Sequence, residues 1–503
     1  MISWAIGDRT DGRQALILGL AAVPIGLLGA VAAYILYKLI LLFTNIAFYQ
    51  QLTFSLHYPP RQLALWTILI PAFGGLFVGL MARYGTDRIR GHGIPEAMEA
   101  VLHQQGRVHL RIAILKPLSA AIAVGTGGPF GAEGPIIQTG GALASQLGQL
   151  FQLTADERKV FIGCGAAAGM VGIFNTPLAA VALVVELLLF EFRARSLVPV
   201  IIASAVAAAA RPYLIGPNLM FPVAVQGYGT PPALILFVPL GIILGAIAVG
   251  FSKGLFYVEE IFEDVLQVPM VLAPAIGGLL LGIIAYFEPR VLGMGYDTIS
   301  LIVQGKIGGA DALKLAVAKS LALWVALGSG TSGGLLAPMI LVGAAIGNVY
   351  GTAIAPVFPA LALNPNACAI VGMTALFSAA ARAPFTSFLF AFELTGDYQV
   401  ILPLMIGCMA ADIVARLLTE HSVMTARLAQ RGLRIPSVYS ANLMSYLTTG
   451  ALMQTDLRII PSSLPIRDLL SEIHDDRAFS SAERRHYWWL VETGADHTLS
   501  LLT

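Results

Sequence analysis

The chain has 503 residues, of which 57% are hydrophobic and only 12% charged, whereas soluble proteins carry about 25% charged residues. Its mean hydropathy is +0.78 and its net charge +1. These values exclude an ordinary soluble domain and leave no basic footprint for nucleic acid, so a helical protein with several membrane spans is expected.

The opening residues mix charge and apolar groups, and the apolar run from Ala15 is too long for the core of a cleavable signal. Ala15 to Ala47 is therefore read as the first span and Leu63 to Ala82 as the second, since about 20 apolar residues cross the hydrocarbon. The polar loop Arg83 to Arg90 leads into GHGIPEA from Gly91, where Pro95 suits a first helical turn and Glu96 and Glu99 suit the positive end of the helix dipole. Lys116 to Val124 runs into the Gly/Pro-rich stretch Gly125 to Gly148. Beyond Thr154 to Lys159 lies a Gly/Ala-rich span. Phe174-Asn175-Thr176-Pro177 then opens an apolar helix that contains Glu186. Leu197 to Ala210 and Pro231 to Gly250 complete the first half.

The second half reuses this order. Lys116, Gly125, Pro135, Gly140 and Gly148 recur 203 residues later as Lys319, Gly328, Pro338, Gly343 and Gly351. Gly293-Met294-Gly295 answers Gly91-His92-Gly93, and Pro384 with Glu393 answers Pro177 with Glu186. So many matched landmarks in one order predict an internal duplication, of the kind that in membranes is commonly inverted. The tail after Thr448 changes composition and reads as a small water-facing appendage, too short for a sizeable core of its own.

Within Gly125 to Gly148 the single acid is Glu133, set between glycines and prolines with apolar sequence on both sides. A carboxylate is costly at that depth and persists there mostly for function. Gly131 and Gly134 allow close approach of backbone, and Pro135 fits the start of a new helix. An interrupted helix restarting near Glu133 would aim free N–H groups and the positive dipole end at an anion. The second copy, GSGTSGGLLAPMILVGAAIG, has Leu336 where the first has Glu133. Paired Gly/Pro-interrupted apolar segments are the sequence pointer to a transporter's binding site at a repeat interface. Cys164, Cys368 and Cys408 lie far apart in apolar segments and show neither metal spacing nor a disulfide framework.

GHGIPEA, GAEGPIIQTGG, FNTPLAAVALVVEL, SGGLLAP and the late Tyr439 together resemble the signature stretches of the CLC family of chloride channels and proton/chloride exchangers, in that family's order. The resemblance implies an all-α multi-span membrane protein with two inverted repeats of broken, tilted helices. It implies a homodimer in the cell membrane, in contact with lipid, with one anion pathway per subunit. The membrane domain is expected over 1–447, with halves at about 15–250 and 270–447, and a soluble tail over 448–503. That tail, with IIPSSLPIRDLL from Ile459, resembles the start of a CBS module. It is too short for the usual tandem pair, so no nucleotide is expected.

By the same resemblance Glu133 takes the place of the gating glutamate, competing with chloride for an amide nest and moving aside when protonated. Chloride is expected to be bound by His92, Gly93, Ile94, Glu133, Gly134, Leu335, Leu336 and Tyr439, with no cofactor and no metal. Several positions depart from the family pattern. His92 stands where serine is frequent and adds a group that titrates near neutral pH. Leu336 replaces a phenylalanine. Ala132 replaces an arginine, which is expected to lower the positive potential at the outer mouth. Leu187 occupies the position of the internal proton-passing glutamate and cannot titrate, while Glu186 and Glu393, at paired positions, are expected to make structural polar contacts.

Three functions compete. A gated chloride channel is favoured by Leu187 and Leu336 and is the preferred expectation. A proton-coupled chloride exchanger is favoured by Glu133 and His92. A membrane enzyme has no support: the chain lacks HExxH, a nucleophile with a partner base, and a metal cluster.

Overall fold

Two runs of eight helices follow one another in the same order, and their contacts are reciprocal. The computed structural model describes residues 4–217, 219–221 and 227–433 and, in the tail, 459–461, 465, 467, 489–493 and 498–502. The first run is α1 (Trp4–Thr44), α2 (Leu69–Tyr84), α3 (Ile94–Leu102), α4 (Leu110–Gly125), α5 (Glu133–Leu150), α6 (Ala155–Phe174), α7 (Pro177–Leu183) and α8 (Ala194–Leu214). The second run is α9 (Phe237–Glu260), α10 (Ala273–Phe287), α11 (Tyr296–Val303), α12 (Gly309–Gly328), α13 (Leu336–Ile354), α14 (Pro365–Ala381), α15 (Pro384–Thr395) and α16 (Ile401–Leu418). The short α17 (Ala426–Gln430) follows.

The helix boundaries come from local chemistry. Thr154 and Glu157 form a capping box that starts α6, each satisfying the other's backbone N–H. Prolines occupy the first turns of α3, α7, α10, α14 and α15, where no hydrogen bond is lost. Six described stretches are long and apolar enough to cross a bilayer, among them Leu16–Tyr49, Pro231–Val265 and Leu336–Ile354. Helices α3, α7 and α11, of 9, 7 and 8 residues, cannot cross it and stop within the fold. Leu20, Leu27 and Ile35 of α1 face outward, while Ala22, Ala33, Leu36 and Ile40 face the core. An outward apolar face with small residues packed inward is what a lipid surround selects.

Close helix contacts repeat between the halves. A Cβ on Gly140 of α5 would lie 2.1 Å from the Gly165 carbonyl oxygen of α6, and one on Gly165 would lie 2.1 Å from that of Gly140. The corresponding pair in α13 and α14 is Gly343 and Gly372, with 2.2 and 2.3 Å. Neither crossing admits any side chain. At the centre, Gly131 and Gly334 exchange both backbone hydrogen bonds, at 3.1 and 2.9 Å, in an antiparallel bridge. These residues are equivalent in the two repeats. Their mutual pairing therefore places a local pseudo-two-fold axis between them, the signature of inverted halves.

The chain divides into compact units over 1–439 and 440–503. In the second unit β1 (Ile459–Pro461) pairs in parallel with β2 (Trp489–Thr493), and β2 pairs antiparallel with β3 (Thr498–Leu502).

Candidate functional site

The starts of α3, α5 and α13 meet around one buried carboxylate. Glu133, the first residue of α5, is 1% exposed, and its Oε1 accepts a 2.6 Å hydrogen bond from the Leu336 amide at the start of α13. Its Oε2 has no hydrogen-bond partner among the described residues. The seat exists because two glycines leave it open: a Cβ on Gly131 would lie 1.8 Å from Oε2, and one on Gly334 would lie 2.2 Å from Oε1. The start of α3 closes on the same point. A Cβ on Gly134 would lie 1.6 Å from the His92 carbonyl oxygen, and Gly91 forms a parallel bridge with Ser332.

Helix N-termini supply the electrostatics here. The first N–H groups of a helix are unpaired and carry the positive end of its dipole, so converging starts favour an anion without a full positive charge. His92 (3% exposed), Gly93, Ile94, Gly134, Leu335 and Leu336 are all buried at this junction. Gly93 turns into α3 with φ +91°, a conformation only glycine adopts readily. The His92 Nδ1 is buried without a partner among the described residues. Tyr439 lies outside the described residues.

Two buried lysines brace the loops around the junction. The Lys116 Nζ donates to the carbonyls of Ile89 and Gly91, at 2.8 and 2.9 Å. The Lys319 Nζ donates to Val291 and Gly293 at the same two distances. The sequence marks both only as repeat landmarks; their role as fasteners of the loops before α3 and α11 needs the fold. Leu187, whose side chain cannot titrate, is buried in the π-helical stretch Val184–Leu189 that continues α7. Glu186 accepts hydrogen bonds from the Phe385 and Thr386 amides and the Thr386 hydroxyl, at 3.1, 2.7 and 2.6 Å. The Glu393 carboxylate reciprocates at the Leu178 and Ala179 amides, at 2.9 and 2.8 Å.

Two cavities approach α5, one along its second and third turns and one at its start. One, of about 420 Å³, reaches Gln138 and Gly141 on the second and third turns and is lined by Arg90, Glu96, Glu259 and Arg427. The other, of about 460 Å³, reaches Ala132 immediately before Glu133 and is lined by Tyr37, Arg211, Tyr296 and Asp297. Tyr296 opens α11 at the position answering Ile94 in α3. Sequence reasoning passed it over, although that exchange of isoleucine for tyrosine in a matched motif was the available signal.

The family model for the voltage gated chloride channel matches residues 74–416. The chain is 29% identical over 433 residues to the H(+)/Cl(-) exchange transporter ClcA of Yersinia pestis bv. Antiqua (strain Angola), covering 84% of this chain and 88% of that one. It is 32% identical over 364 residues to the chloride channel protein CLC-f of Arabidopsis thaliana, covering 67% of this chain and 45% of that one. Among solved structures, a slow cyanobacterial Cl-/H+ antiporter aligns with TM-score 0.73 and 26% identity, over 82% of this chain and 97% of that one. A CLC-type fluoride/proton antiporter aligns with TM-score 0.67 at 22% identity, a likeness of fold, over 81% of this chain and 97% of that one.

Proposed function

Because the chain belongs to the voltage gated chloride channel family, we propose that this multi-pass membrane protein exchanges chloride for protons, with Glu133 as the group that carries the proton and gates the anion. One observation carries the reading: a titratable carboxylate sits in the amide seat at Leu336, where a transported anion would sit. Ionised, Glu133 excludes the anion from that seat; protonated, it loses its attraction for the amides and yields the place to chloride. One side chain thereby ties anion occupancy to protonation.

The preference for a passive channel drawn from Leu187 and Leu336 gives way here. Leu187 removes one route for the proton but leaves the buried carboxylate itself, and the similarity to a named exchanger spans most of the chain. The channel remains the second reading, favoured by Leu187 and by the similarity to CLC-f. Under either reading the anion meets His92, Gly93, Ile94, Gly134, Leu335 and Leu336 at the junction, with Tyr439 assigned by resemblance alone. A homodimer with one pathway per subunit, a membrane domain over 1–447 and a soluble tail over 448–503 belong to the same proposal.

Reconstitution into liposomes under a chloride gradient, with external pH recorded, is the test. Proton movement against its gradient, driven by chloride, is expected. Chloride flux with no proton movement assigns the channel instead.

A further inference from the structure

A groove of about 420 Å³ lies between α9, α12 and α13, and it has none of the character of the cavities beside α5. No charged residue lines it. Phe251, Ala316 and Val342 form a buried floor, while Leu313, Val317 and Leu321 stand on the rim, 48, 54 and 43% exposed. The Ser320 hydroxyl on the wall donates back to the Ala316 carbonyl of its own helix at 2.8 Å, so it offers the groove nothing. Such a space suits neither water nor an anion, because neither finds a polar partner there. In a bilayer it opens on hydrocarbon, and left empty it would forfeit dispersion contacts along its floor.

One end of the groove is closed and the other open. Trp324 of α12 reaches across to α9, where a Cβ on Gly254 would lie 2.5 Å from its ring and the Phe251 ring centroid is 6.0 Å away. That contact shuts the groove at the level of Trp324. At the other end Leu313 adjoins Lys314, whose side chain is 61% exposed and paired with Glu288 at 3.1 Å. Asp311, 51% exposed, pairs with Arg290 at the same level. Exposed charges of this kind mark the edge of the hydrocarbon. Leu313 and Trp324 are about three helical turns apart, or about 16 Å at 1.5 Å per residue. One leaflet of hydrocarbon is about 15 Å deep, half of the core. The groove therefore runs inward from the charged edge for the depth of a single leaflet and stops.

We propose that this groove seats one acyl chain of a glycerophospholipid from the leaflet on the Lys314 side, with the methyl end of the chain at Trp324. The chain bears on Val342 and Ile346 of α13, the helix whose first amide holds Glu133, and so braces that helix from the lipid side. Gly250 keeps the space open: it lies on the wall, and a Cβ there would meet nothing within 4 Å. The assignment needs only the membrane location and does not depend on what is transported.

Gly250→Leu tests it, since leucine fills the groove from inside without a clash and is the better helix former. Gly250→Ala adds one methyl group and leaves the groove open. The full chain is purified in detergent, its retained phospholipid is counted by native mass spectrometry, and its melting temperature is measured with and without added phosphatidylcholine. The parent and Gly250→Ala should retain a phospholipid that Gly250→Leu lacks, and both should melt higher when lipid is returned. Gly250→Leu should melt at one temperature with or without it. The parent alone gives a second readout in liposomes. Phosphatidylcholine brominated near the methyl end of its chain should quench the fluorescence that Trp324→Phe lacks, and should do so to saturation at a small fraction of labelled lipid. Equal lipid retention and equal lipid-dependent melting in the parent and Gly250→Leu overturn the proposal. Quenching that rises only in proportion to the labelled lipid overturns it as well. A change of oligomeric state in Gly250→Leu would make the groove a contact between copies of the chain, and would overturn it too.

Discussion

Glu186 and Glu393 hold each other's helices. Each sits on the helix that begins Pro177 or Pro384, and each carboxylate accepts two backbone N–H groups at the start of the other's helix. Both lie 9 residues after the proline of their own helix. A carboxylate at a helix N-terminus satisfies orphan donors and meets the positive dipole end, so the pair locks the repeats together.

Glu186→Ala and Glu393→Ala should therefore each lower stability by about 1–3 kcal/mol, because two amides are left unsatisfied at each helix start. Thermal unfolding in detergent, followed by size-exclusion chromatography, measures it. Proton coupling in the surviving fraction should match the parent. Loss of coupling in Glu186→Ala without loss of stability would instead give that residue a part in proton movement.

Glu133→Gln should give chloride flux without proton movement. The amide keeps the shape of the carboxylate but carries neither the negative charge that occupies the seat at Leu336 nor a transferable proton. Chloride efflux from liposomes should no longer respond to pH. Efflux identical to the parent, with coupling intact, assigns the gate to another group.

His92→Ser should leave the flux-versus-pH curve close to the parent's, because burial beside Lys116 and Arg427 disfavours the charged imidazole at the start of α3. Flux recorded across a pH series for variant and parent checks this. A displaced curve would give His92 a share of the pH response beside Glu133.

Lys116→Met and Lys319→Met should both be destabilising, Lys319→Met the more so. Lys319→Met strips the donor from the Val291 and Gly293 carbonyls, whereas in Lys116→Met Ile89 loses its donor and Gly91 still accepts from the Gly333 amide at 3.3 Å, so the cost is about 1–3 kcal/mol per variant. The loops they fasten belong to different repeats, and the two lysines bond to different carbonyls, so the double variant should lose close to the summed amount. Apparent melting temperatures of the three variants check this.

Much of the fold was readable along the chain, since a membrane forces it into one-dimensional signals. Apolar runs give the spans, prolines give helix starts, and the landmarks from Lys116 to Gly148 announce their own copy 203 residues later. For the same reason Glu133 stood out, as the only acid in an apolar Gly/Pro-broken stretch. The polar partners were not readable. Nothing in spacing says that Glu186 reaches Phe385, that the Glu133 carboxylate meets Leu336 across the repeat boundary, or that Arg211 shares a wall with Ala132. Those pairings join residues on separate helices, and which helices meet is decided by side-chain volume and glycine crossings in three dimensions, as at Gly140 with Gly165 and Gly343 with Gly372. The sequence alone determined that a charge-poor, duplicated membrane chain breaks two helices around one acid. Only the tertiary structure decided what that acid touches, because hydrogen bonds between helices depend on ångström-scale approach and not on order along the chain.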